Sequence, residues 1–531
     1  MLLSKYNKTN NKSEIIWKYK YFLLVIPLFL MTLQIIMLEG YGGNLAEGWF
    51  SDIAYNLNWE LNGRMAKDIP YGASWSSGIG KTFFFIHHVF YKIFGVGVFQ
   101  ARMVTFLCGV LLLVFVFIWT YKNISQEIAI FSTFLLATSP LFYLSLPDAR
   151  YEVMLSLFAF FSFFLISIGV LKSKNIYFIL AGFFSAMSVD INYRGIEIVM
   201  AVYLFHLIYF EIETFLKRSI LLLTGSFIAF VYWFAVNVLP IGINNFIEHT
   251  IITASGDGGS YTIETLFSEV NRFINNLSGK RAYFTGIEVL YLTYLSVNCY
   301  RHRRKYNKIS KTVLSWILVS FIIISLLERT TYPAYLLIYY PLICIFSGIG
   351  LYELFEHKKK SAYITLIAII FSASVFQGGR FILYSYHTYI KRDFDPEDYN
   401  EKLRSSVSLN KNIIGATNHW YAFPDAQYYG GQFYLSRVMQ VLKEFKPPNE
   451  YKNDYERAYA LLNVFEKRKI EYIIADEYFK PTIIQYFSNN ELPSKNFLLV
   501  NTITDMFRGK GNESKKPPYT TEIYKVISYE P

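Results

Sequence analysis

The dominant pattern in this chain is a series of long apolar segments that are separated by short polar ones. Each segment is close to the roughly 20 residues that a helix needs to cross a bilayer. The pattern predicts eleven spanning helices, at 21–38, 102–121, 126–147, 151–171, 176–190, 196–210, 219–239, 283–299, 312–327, 333–354 and 361–378. A further apolar stretch, 81–95, is short and carries four basic or histidine residues, so we predict an amphipathic helix at the interface there.

The distribution of Lys and Arg orients these helices. Every second connection is rich in basic residues, beginning with the amino terminus and continuing at 121–123, 172–174, 217–218, 301–308 and 357–360. Basic loops stay in the cytoplasm, so residues 1–20 are predicted to be cytoplasmic. The long loops 39–101 and 240–281 then lie on the outer face of the cytoplasmic (plasma) membrane, around a multi-pass membrane domain that spans residues 21–384.

The carboxyl-terminal part of the chain, residues 385–531, has ordinary polarity. It contains strand-like runs ("NIIGATNHWYAF", "IEYIIAD" and "TEIYKVI") and one helical pattern, "NDYERAYALLNVFEKRK". We predict a small α/β domain that lies outside the cytoplasm. The acidic cluster "DFD" at 393–395 is interpreted as a helix start or linker.

Composition supports a membrane protein and narrows the chemistry. Charged residues make up 17% of the chain, against about 25% in a typical soluble domain. The net charge of +11 collects in short loops, so it does not require a nucleic-acid partner. The three cysteines lie in or beside membrane segments, which argues against disulfides and thiolate metal sites. His87 and His88 are adjacent and point to different sides of a helix, so we expect no metal and no other cofactor.

Charges of both signs recur at the outer ends of several predicted helices. Such residues are costly near a membrane, which makes each of them a functional candidate. Arg and Lys neutralise phosphate groups, and a carboxylate can take a proton from an attacking nucleophile. The alternative is that they form ion pairs between helices or contact lipid headgroups. The set is Glu47, Asp52, Lys81, Arg102, Asp148, Arg150, Glu152, Asp190, Arg194, Glu197, Glu328 and Arg329, and we predict that it surrounds one outward-facing polar cavity.

The order of several motifs resembles the GT-C membrane glycosyltransferases, in the branch of the protein O-mannosyltransferases and the aminoarabinose transferase ArnT. The family's first outer loop begins with an acidic pair, which "AEGWFSDIAYNLNWELNG" (46–63) matches with Ala46 in place of the first acid. A lysine followed by aromatic residues is matched by "GKTFFFIHHVFYKIFGVG" (80–97), with Thr82 in place of proline.

Four later motifs follow in the same order. The family's arginine at the head of the second helix is matched by Arg102, and its arginine–glutamate step by Arg150 and Glu152 in "SPLFYLSLPDARYEVML". A late helix with tyrosine and proline is similar to "TYPAYLLIYYPLICIF", and the tail strand to "IGATNHWYAFPD". The resemblance covers nearly the whole chain.

The resemblance implies a GT-C fold and sugar transfer, with inversion, from a polyprenyl-phosphate carrier. The acceptor is then a hydroxyl of an envelope lipid, a glycan or a protein. Glu47 is the leading candidate for the general base, with Asp52 and Asp148 as alternatives. Lys81, Arg102 and Arg150 are the candidates for binding the donor phosphate, supported by Glu152, Arg194 and Arg329.

Two other functions fit the same pattern less well. A flippase for lipid-linked sugars would spread its charges through the membrane and typically carry paired repeats, and neither is visible in the sequence. A ligase that moves a whole oligosaccharide shares the site chemistry and differs in cavity size. The Gly-rich segment 253–269 of the second outer loop is predicted to close over the bound substrate.

Overall fold

The structure of the protein is a computed structural model. It describes residues 22–39, 45–57, 64–66, 69–70, 80–172, 174–208, 212–240, 242–244, 246–247, 282–302, 307–327, 333–357, 360–386, 390, 395–408, 411–439, 444–488, 491–505 and 519–531. Four features predicted from the sequence lie outside the described residues. They are the segment 1–20, the closing segment 253–269, Glu328 and Arg329.

The apolar part of the chain is a helical bundle, and each of the eleven predicted segments contains helix. The helices are α1 Phe22–Ile36, α2 Leu45–Tyr55, α3 Lys81–Phe94, α4 Val98–Asn123, α5 Gln126–Thr138, α6 Pro140–Ser145, α7 Glu152–Lys172, α8 Ile176–Ile191, α9 Gly195–Ile208, α10 Ile212–Trp233, α11 Ala282–Arg301, α12 Asn307–Leu327, α13 Tyr340–Glu356, α14 Lys360–Ala373 and α15 Gly379–Ser385. Two short antiparallel strands, β1 (Arg64–Ala66) and β2 (Ile69–Pro70), lie between α2 and α3.

Helix length separates the candidates for membrane crossing into two groups. Among the described residues, four helices are long and apolar enough to cross a bilayer: Val98–Asn123, Glu152–Val170, Thr214–Val238 and Lys360–Leu383. Five apolar helices are shorter, at Leu23–Ile36, Gln126–Thr138, Ile176–Ile191, Gly195–Ile208 and Lys311–Ile323. The count of eleven spans and their orientation therefore stay predictions. The stretch predicted to lie at the interface forms α3, which is 14 residues long.

The predicted span 126–147 is wrong as a single helix, because the chain breaks it into α5 and α6. The side chain of Ser139 accepts a hydrogen bond from the backbone N–H of Phe142, and Pro140 occupies the first turn of α6. Serine before a helix and proline at its first position are a standard start signal. The break places the turn 146–151 beside the ends of α2 and α4.

Glycines allow several helices to approach each other closely. A Cβ atom at Gly182 of α8 would lie 2.1 Å from the carbonyl oxygen of Leu222 in α10, and one at Gly225 would lie 1.9 Å from that of Ile179. A Cβ at Gly350 of α13 would lie 1.9 Å from the carbonyl oxygen of Leu295 in α11. Small residues at such crossings are typical of membrane helix pairs, because packing drives their association.

The carboxyl-terminal part combines a five-stranded sheet with helices, as its sequence pattern predicts. The strands are β3 Asn412–Gly415, β4 Gln427–Gly430, β5 Tyr472–Ala475, β6 Phe497–Asp505 and β7 Tyr519–Val526, and the helices are α16 Pro396–Ser406, α17 Gly431–Phe433, α18 Asp454–Lys467 and α19 Lys480–Ile484. The strand order is β4-β3-β5-β7-β6, parallel among the first three and antiparallel beyond. Asp395 caps α16 by accepting from Glu397 N and Asp398 N, which confirms its interpretation as a helix start.

The sheet docks on α2 through the carboxyl ends of its parallel strands. β3 leads into a 3-10 helix, Thr417–Ala422, whose first residue packs against Gly48. A Cβ atom at Gly48 would lie 1.8 Å from the carbonyl oxygen of Thr417, so only glycine fits there. The rings of Trp49 and Phe433 stack with centroids 5.5 Å apart. The tail is thus in direct contact with the helix that carries Glu47.

Candidate active site

Two almost completely buried charges of the predicted set, Glu47 and Arg102, form an ion pair. The guanidinium donates from Nε to Oε1 and from Nη2 to Oε2, both at 2.9 Å, and from Nη1 to the carbonyl oxygen of Leu38 at 2.8 Å. Glu47 also accepts from the backbone N–H of Ala149 at 2.9 Å. Both side chains are 1% exposed or less. This pair ties α2, α4, the end of α1 and the turn before α7 together.

The contacts of this pair determine what it can do chemically. Arginine and a carboxylate in a two-point arrangement form one of the stronger hydrogen-bonded pairs in proteins. Both oxygens of Glu47 receive protein donors, so a proton from an acceptor hydroxyl can reach them only after one of those bonds opens. In this conformation the pair is an anchor for its surroundings.

The turn 146–151 presents a carboxylate and a guanidinium beside that anchor. Asp148 precedes Ala149 and contributes to the electrostatic environment of Arg102. The side chain of Arg150 is 23% exposed, and it donates from Nε and Nη2 to Glu152 Oε1 at 3.0 and 2.7 Å. Glu152 therefore fixes the direction of Arg150, and its supporting role in the reaction stays a prediction.

A second charged cluster forms where α3 begins, between Lys81 and Asp190. Lys81 is 2% exposed, and Asp190 is fully buried. Asp190 accepts from the backbone N–H of Thr82 at 2.9 Å, from the Thr82 hydroxyl and from Asn237 Nδ2 at 2.6 Å. Burial lowers the pKa of Lys81 to about 8, although the negative charge of Asp190 acts in the opposite direction. Gly80 is required here, because a Cβ would lie 2.3 Å from Asp190.

A hydrogen-bonded row of hydroxyl groups links α2 to α3 and to the tail. Ser51 Oγ lies 2.7 Å from the hydroxyl of Tyr91 and 2.8 Å from the hydroxyl of Tyr421. Burial raises the pKa of both phenols, so they keep their protons. Asp52, the next residue on α2, is 5% exposed and accepts from Asn56 Nδ2 at 2.8 Å. Sequence reasoning missed Tyr421, because no local pattern connects it to Ser51.

Arg194 directly precedes α9. Its Nη1 donates to the hydroxyl of Tyr151 at 3.2 Å, and its guanidinium covers the ring of Tyr193 at 4.6 Å. These contacts favour a positioning role for Arg194. Among the described residues, no three potential metal ligands come together at this site.

Sequence reasoning also missed Glu288, which lies near the start of α11. It is 3% exposed, and the hydroxyl of Tyr340 donates a hydrogen bond to its carboxylate. The two residues border an apolar cavity of about 460 Å³ between α11, α12 and α13, whose wall includes Leu292, Ile317 and Phe346. The signal was present in the sequence, since a glutamate inside a predicted span is a functional candidate.

Comparison with known proteins shows which folds this architecture resembles. Residues 82–238 match the model of the dolichyl-phosphate-mannose-protein mannosyltransferase family. The chain is similar to ArnT from Cupriavidus metallidurans in the apo state, with a TM-score of 0.64 and 10% identity over 96% of this chain and 99% of that one. The same enzyme bound to undecaprenyl phosphate gives a TM-score of 0.61 and 12% identity over the same shares. The fold is that of the GT-C membrane glycosyltransferases.

The GT-C resemblance predicted from the sequence is therefore confirmed at the level of the fold. An oligosaccharyltransferase from Archaeoglobus fulgidus shares this fold with a TM-score of 0.53 and 13% identity, over 88% of this chain and 71% of that one. No curated protein matches the chain by sequence alone. At these identities the likeness establishes architecture, and the roles of Glu47, Lys81 and their neighbours stay predictions.

Proposed function

We propose that the chain is an inverting glycosyltransferase that moves a single sugar from a polyprenyl-phosphate donor to a hydroxyl group. The acceptor belongs to an envelope lipid, a glycan or a protein at the outer face of the cytoplasmic membrane. The observation that carries the proposal is the turn 146–151. There a carboxylate, Asp148, and an oriented guanidinium, Arg150, lie beside a buried ion pair of the GT-C scaffold.

The role of the cations is to stabilise the leaving phosphate. When the acceptor oxygen attacks the anomeric carbon, the bond from that carbon to the phosphate oxygen breaks, and the phosphate leaves with the electron pair. A cation fixed in advance stabilises the charge that develops there. Arg150 is held by Glu152 and remains partly exposed, and Lys81 is held in a desolvated position, so both suit this role.

A carboxylate receives the proton that the acceptor hydroxyl loses. The structure favours Asp148 over Glu47, because Glu47 is fully buried and receives three protein donors, whereas Asp148 is 9% exposed. Asp52 is the alternative base on α2. Glu47 and Arg102 then hold α2 and the turn 146–151 in place. A single displacement of this kind inverts the anomeric configuration.

The apolar cavity beside Glu288 supports a lipid-borne substrate. Its wall is formed almost entirely by aliphatic and aromatic side chains, which suit the methyl-branched units of an isoprenoid chain. The same fold in the ArnT structure binds undecaprenyl phosphate, which has such a chain.

Transfer of a whole oligosaccharide is the second candidate, favoured by the similarity to the Archaeoglobus fulgidus oligosaccharyltransferase. The chemistry at the anomeric carbon is the same in both cases. The mass of the transferred unit distinguishes them.

The decisive experiment is mass spectrometry of lipid-linked sugars and envelope glycans in a strain that lacks the protein. We expect one monosaccharyl-phosphoryl-polyprenol to accumulate and one glycan, lipid or protein to lose a single sugar. Wild-type protein restores the product and Asp148→Asn does not, whereas Asp395→Asn, an acid that only caps a helix of the tail, restores it fully.

Three results would change the proposal. Accumulation of a lipid-linked oligosaccharide would establish the second candidate. Restoration by Asp148→Asn together with failure of Asp52→Asn would move the base to α2. An unchanged lipid and glycan profile, in cells shown to express the wild-type protein, would overturn the proposed activity.

A further inference from the structure

A second cluster of chemically active side chains lies at the other end of the bundle. His302 follows the last residue of α11, and Glu353 and His357 lie at the end of α13. One donor atom from each residue falls within 4.8 Å of the others, and the two imidazole rings are 5.1 Å apart. His302 is 14 residues beyond Glu288, or about 20 Å along the helix. The cluster is therefore separate from the candidate active site.

The hydrogen bonds of the two histidines direct their lone pairs. His302 Nδ1 lies 2.9 Å from the carbonyl oxygen of Asn298, and His357 Nδ1 lies 2.8 Å from that of Glu353. A carbonyl oxygen only accepts, so each Nδ1 carries the proton and each Nε2 carries the lone pair. Histidines that bind metals usually donate their other N–H to a carbonyl or carboxylate in this way.

The two helices that carry the cluster are in direct contact. Asn298 Nδ2 donates to the carbonyl oxygen of Gly350 at 2.8 Å, which joins α11 to α13 one turn before the cluster. Gly350 itself packs directly on the carbonyl oxygen of Leu295. α11 and α13 are thus packed closely together about one turn before the three side chains.

The surroundings combine a buried carboxylate with an open side. The side chain of Glu353 is fully buried, whereas the side chain of His357 is 49% exposed. A divalent cation between the three groups would stabilise the ionised carboxylate. The exposed side of His357 provides a route by which the ion and a water ligand enter.

We propose that His302, Glu353 and His357 form a zinc site that joins the ends of α11 and α13. Two imidazoles, one carboxylate and a water are a recurrent ligand set for Zn²⁺, with bonds of about 2.0–2.2 Å. Such bonds separate ligand atoms by about 3.5 Å, so the side chains close by roughly 1 Å around the ion. The site lies where the sequence predicts the cytoplasmic face, and it is independent of the proposed transferase activity.

Another explanation accounts for both histidines without a metal. Each lies at the carboxyl end of a helix, where a positive charge interacts favourably with the helix dipole. Replacing each histidine by lysine keeps that charge at the helix end but removes the imidazole ligand. This exchange therefore separates the two explanations.

The test measures zinc binding to the full chain, purified in detergent with a tag that contains no histidine. After dialysis against a chelator, we expect one equivalent of Zn²⁺ to bind and to raise the melting temperature. His302→Lys and His357→Lys should each weaken zinc binding by at least about 100-fold, since removal of a supporting hydrogen bond alone costs 10–100-fold. Glu353→Gln should weaken it similarly.

His206→Ala is the matched control. His206 is a buried histidine of α9 that lies outside the cluster and hydrogen-bonds Ser219, so zinc binding should be unchanged. The proposal fails if the wild-type chain binds no zinc in the micromolar range. It also fails if the lysine variants bind zinc as tightly as wild type, or if only stability in the absence of zinc responds to the substitutions.

Discussion

The two charged clusters of the candidate active site differ in how they hold their charges. In the first, Glu47 and Arg102 meet through two hydrogen bonds, and the backbone of Leu38 and Ala149 completes the arrangement. In the second, Asp190 is surrounded by donors from Thr82 and Asn237, while burial lowers the pKa of Lys81.

This difference indicates that the two clusters have different roles. A buried pair whose members satisfy each other holds parts of the fold together, and removal of one partner leaves an uncompensated charge. A buried lysine whose pKa is lowered by desolvation interacts strongly with any anion that reaches it, because the local dielectric constant is low. We therefore expect the first cluster to control stability and the second to control donor binding.

The largest effect should follow from breaking the first cluster. Arg102→Met leaves the carboxylate of Glu47 buried without its partner, which should lower the free energy of unfolding by about 3–5 kcal/mol. The double variant Glu47→Leu/Arg102→Met should recover most of that loss. Thermal and denaturant unfolding of purified protein measures both, with Asp398→Asn, from an exposed pair in the tail, as a control that changes little.

Activity of the double variant sharpens the comparison. If the pair is only an anchor, a stable double variant keeps measurable sugar transfer. A double variant that is as stable as wild type but transfers no sugar would assign Glu47 or Arg102 a direct part in the reaction.

The next largest effect should come from Lys81. Lys81→Met removes one charged contact with the donor phosphate, worth about 1.5–3 kcal/mol, so kcat/KM should fall roughly 10- to 150-fold. Stability should change little, because Asp190 keeps its hydrogen bonds from Thr82 and Asn237. Lys92→Met, in the last turn of the same helix, is the matched control and should stay within about twofold of wild type. Equal losses in both variants would contradict the assignment.

The pH dependence of donor use should report the same lysine. With a pKa of about 8, Lys81 loses its proton as the pH rises, so kcat/KM should fall about fivefold between pH 8 and pH 9. Unfolding does not explain this loss. Between pH 8 and the ordinary lysine value of 10.5, the unfolded chain holds more protons than the folded one, so the contribution of Lys81 to stability rises with pH.

The variant Lys81→Arg tests this interpretation, because a guanidinium stays charged throughout this pH range. If Lys81→Arg retains activity, its profile should lack the fall above pH 8. A fall of the same size at the same pH in this variant would assign the titration to another group.

The smallest effect should come from the contact between α2 and the tail. Tyr421→Phe removes the hydroxyl that lies next to Ser51, which should cost about 0.5–1.5 kcal/mol of stability and reduce transfer a few-fold. Ser51→Ala combined with Tyr421→Phe should cost less than the sum of the two changes, as expected for partners in contact. Strict additivity would show that the hydroxyl row does not couple the two parts.

Local sequence patterns predicted the elements better than the contacts between them. Helix positions follow from apolar runs, and Arg150 and Glu152 could be paired because they are two residues apart. Ser51 and Tyr421 are 370 residues apart, and neither lies in a pattern that indicates the other. Ser139 and Pro140 are a helix start signal and could have predicted the break between α5 and α6. The continuous apolar run around them instead favoured one long helix.

The pairing of Glu47 with Arg102 shows a further limit of sequence reasoning. Residue type and predicted depth identified both as important, and they suggested separate roles, base and phosphate ligand. Only the fold places the two side chains against each other. Charged residues near a membrane surface thus indicate where a functional site lies. The role of each residue depends on which helices are neighbours in the fold.

The contact of α2 with the tail also sets an order of events during synthesis. Gly48 and Ser51 are among the first residues made after the first apolar segment, and their partners Thr417 and Tyr421 come about 370 residues later. At about 5–20 residues per second, ribosomes need roughly 20–75 s to cover that distance. During this interval the helix that carries Glu47 can pair with its early neighbours, but the residues of the tail that cover it have not yet been made. Assembly of the site is therefore completed only when nearly the whole polypeptide has been translated.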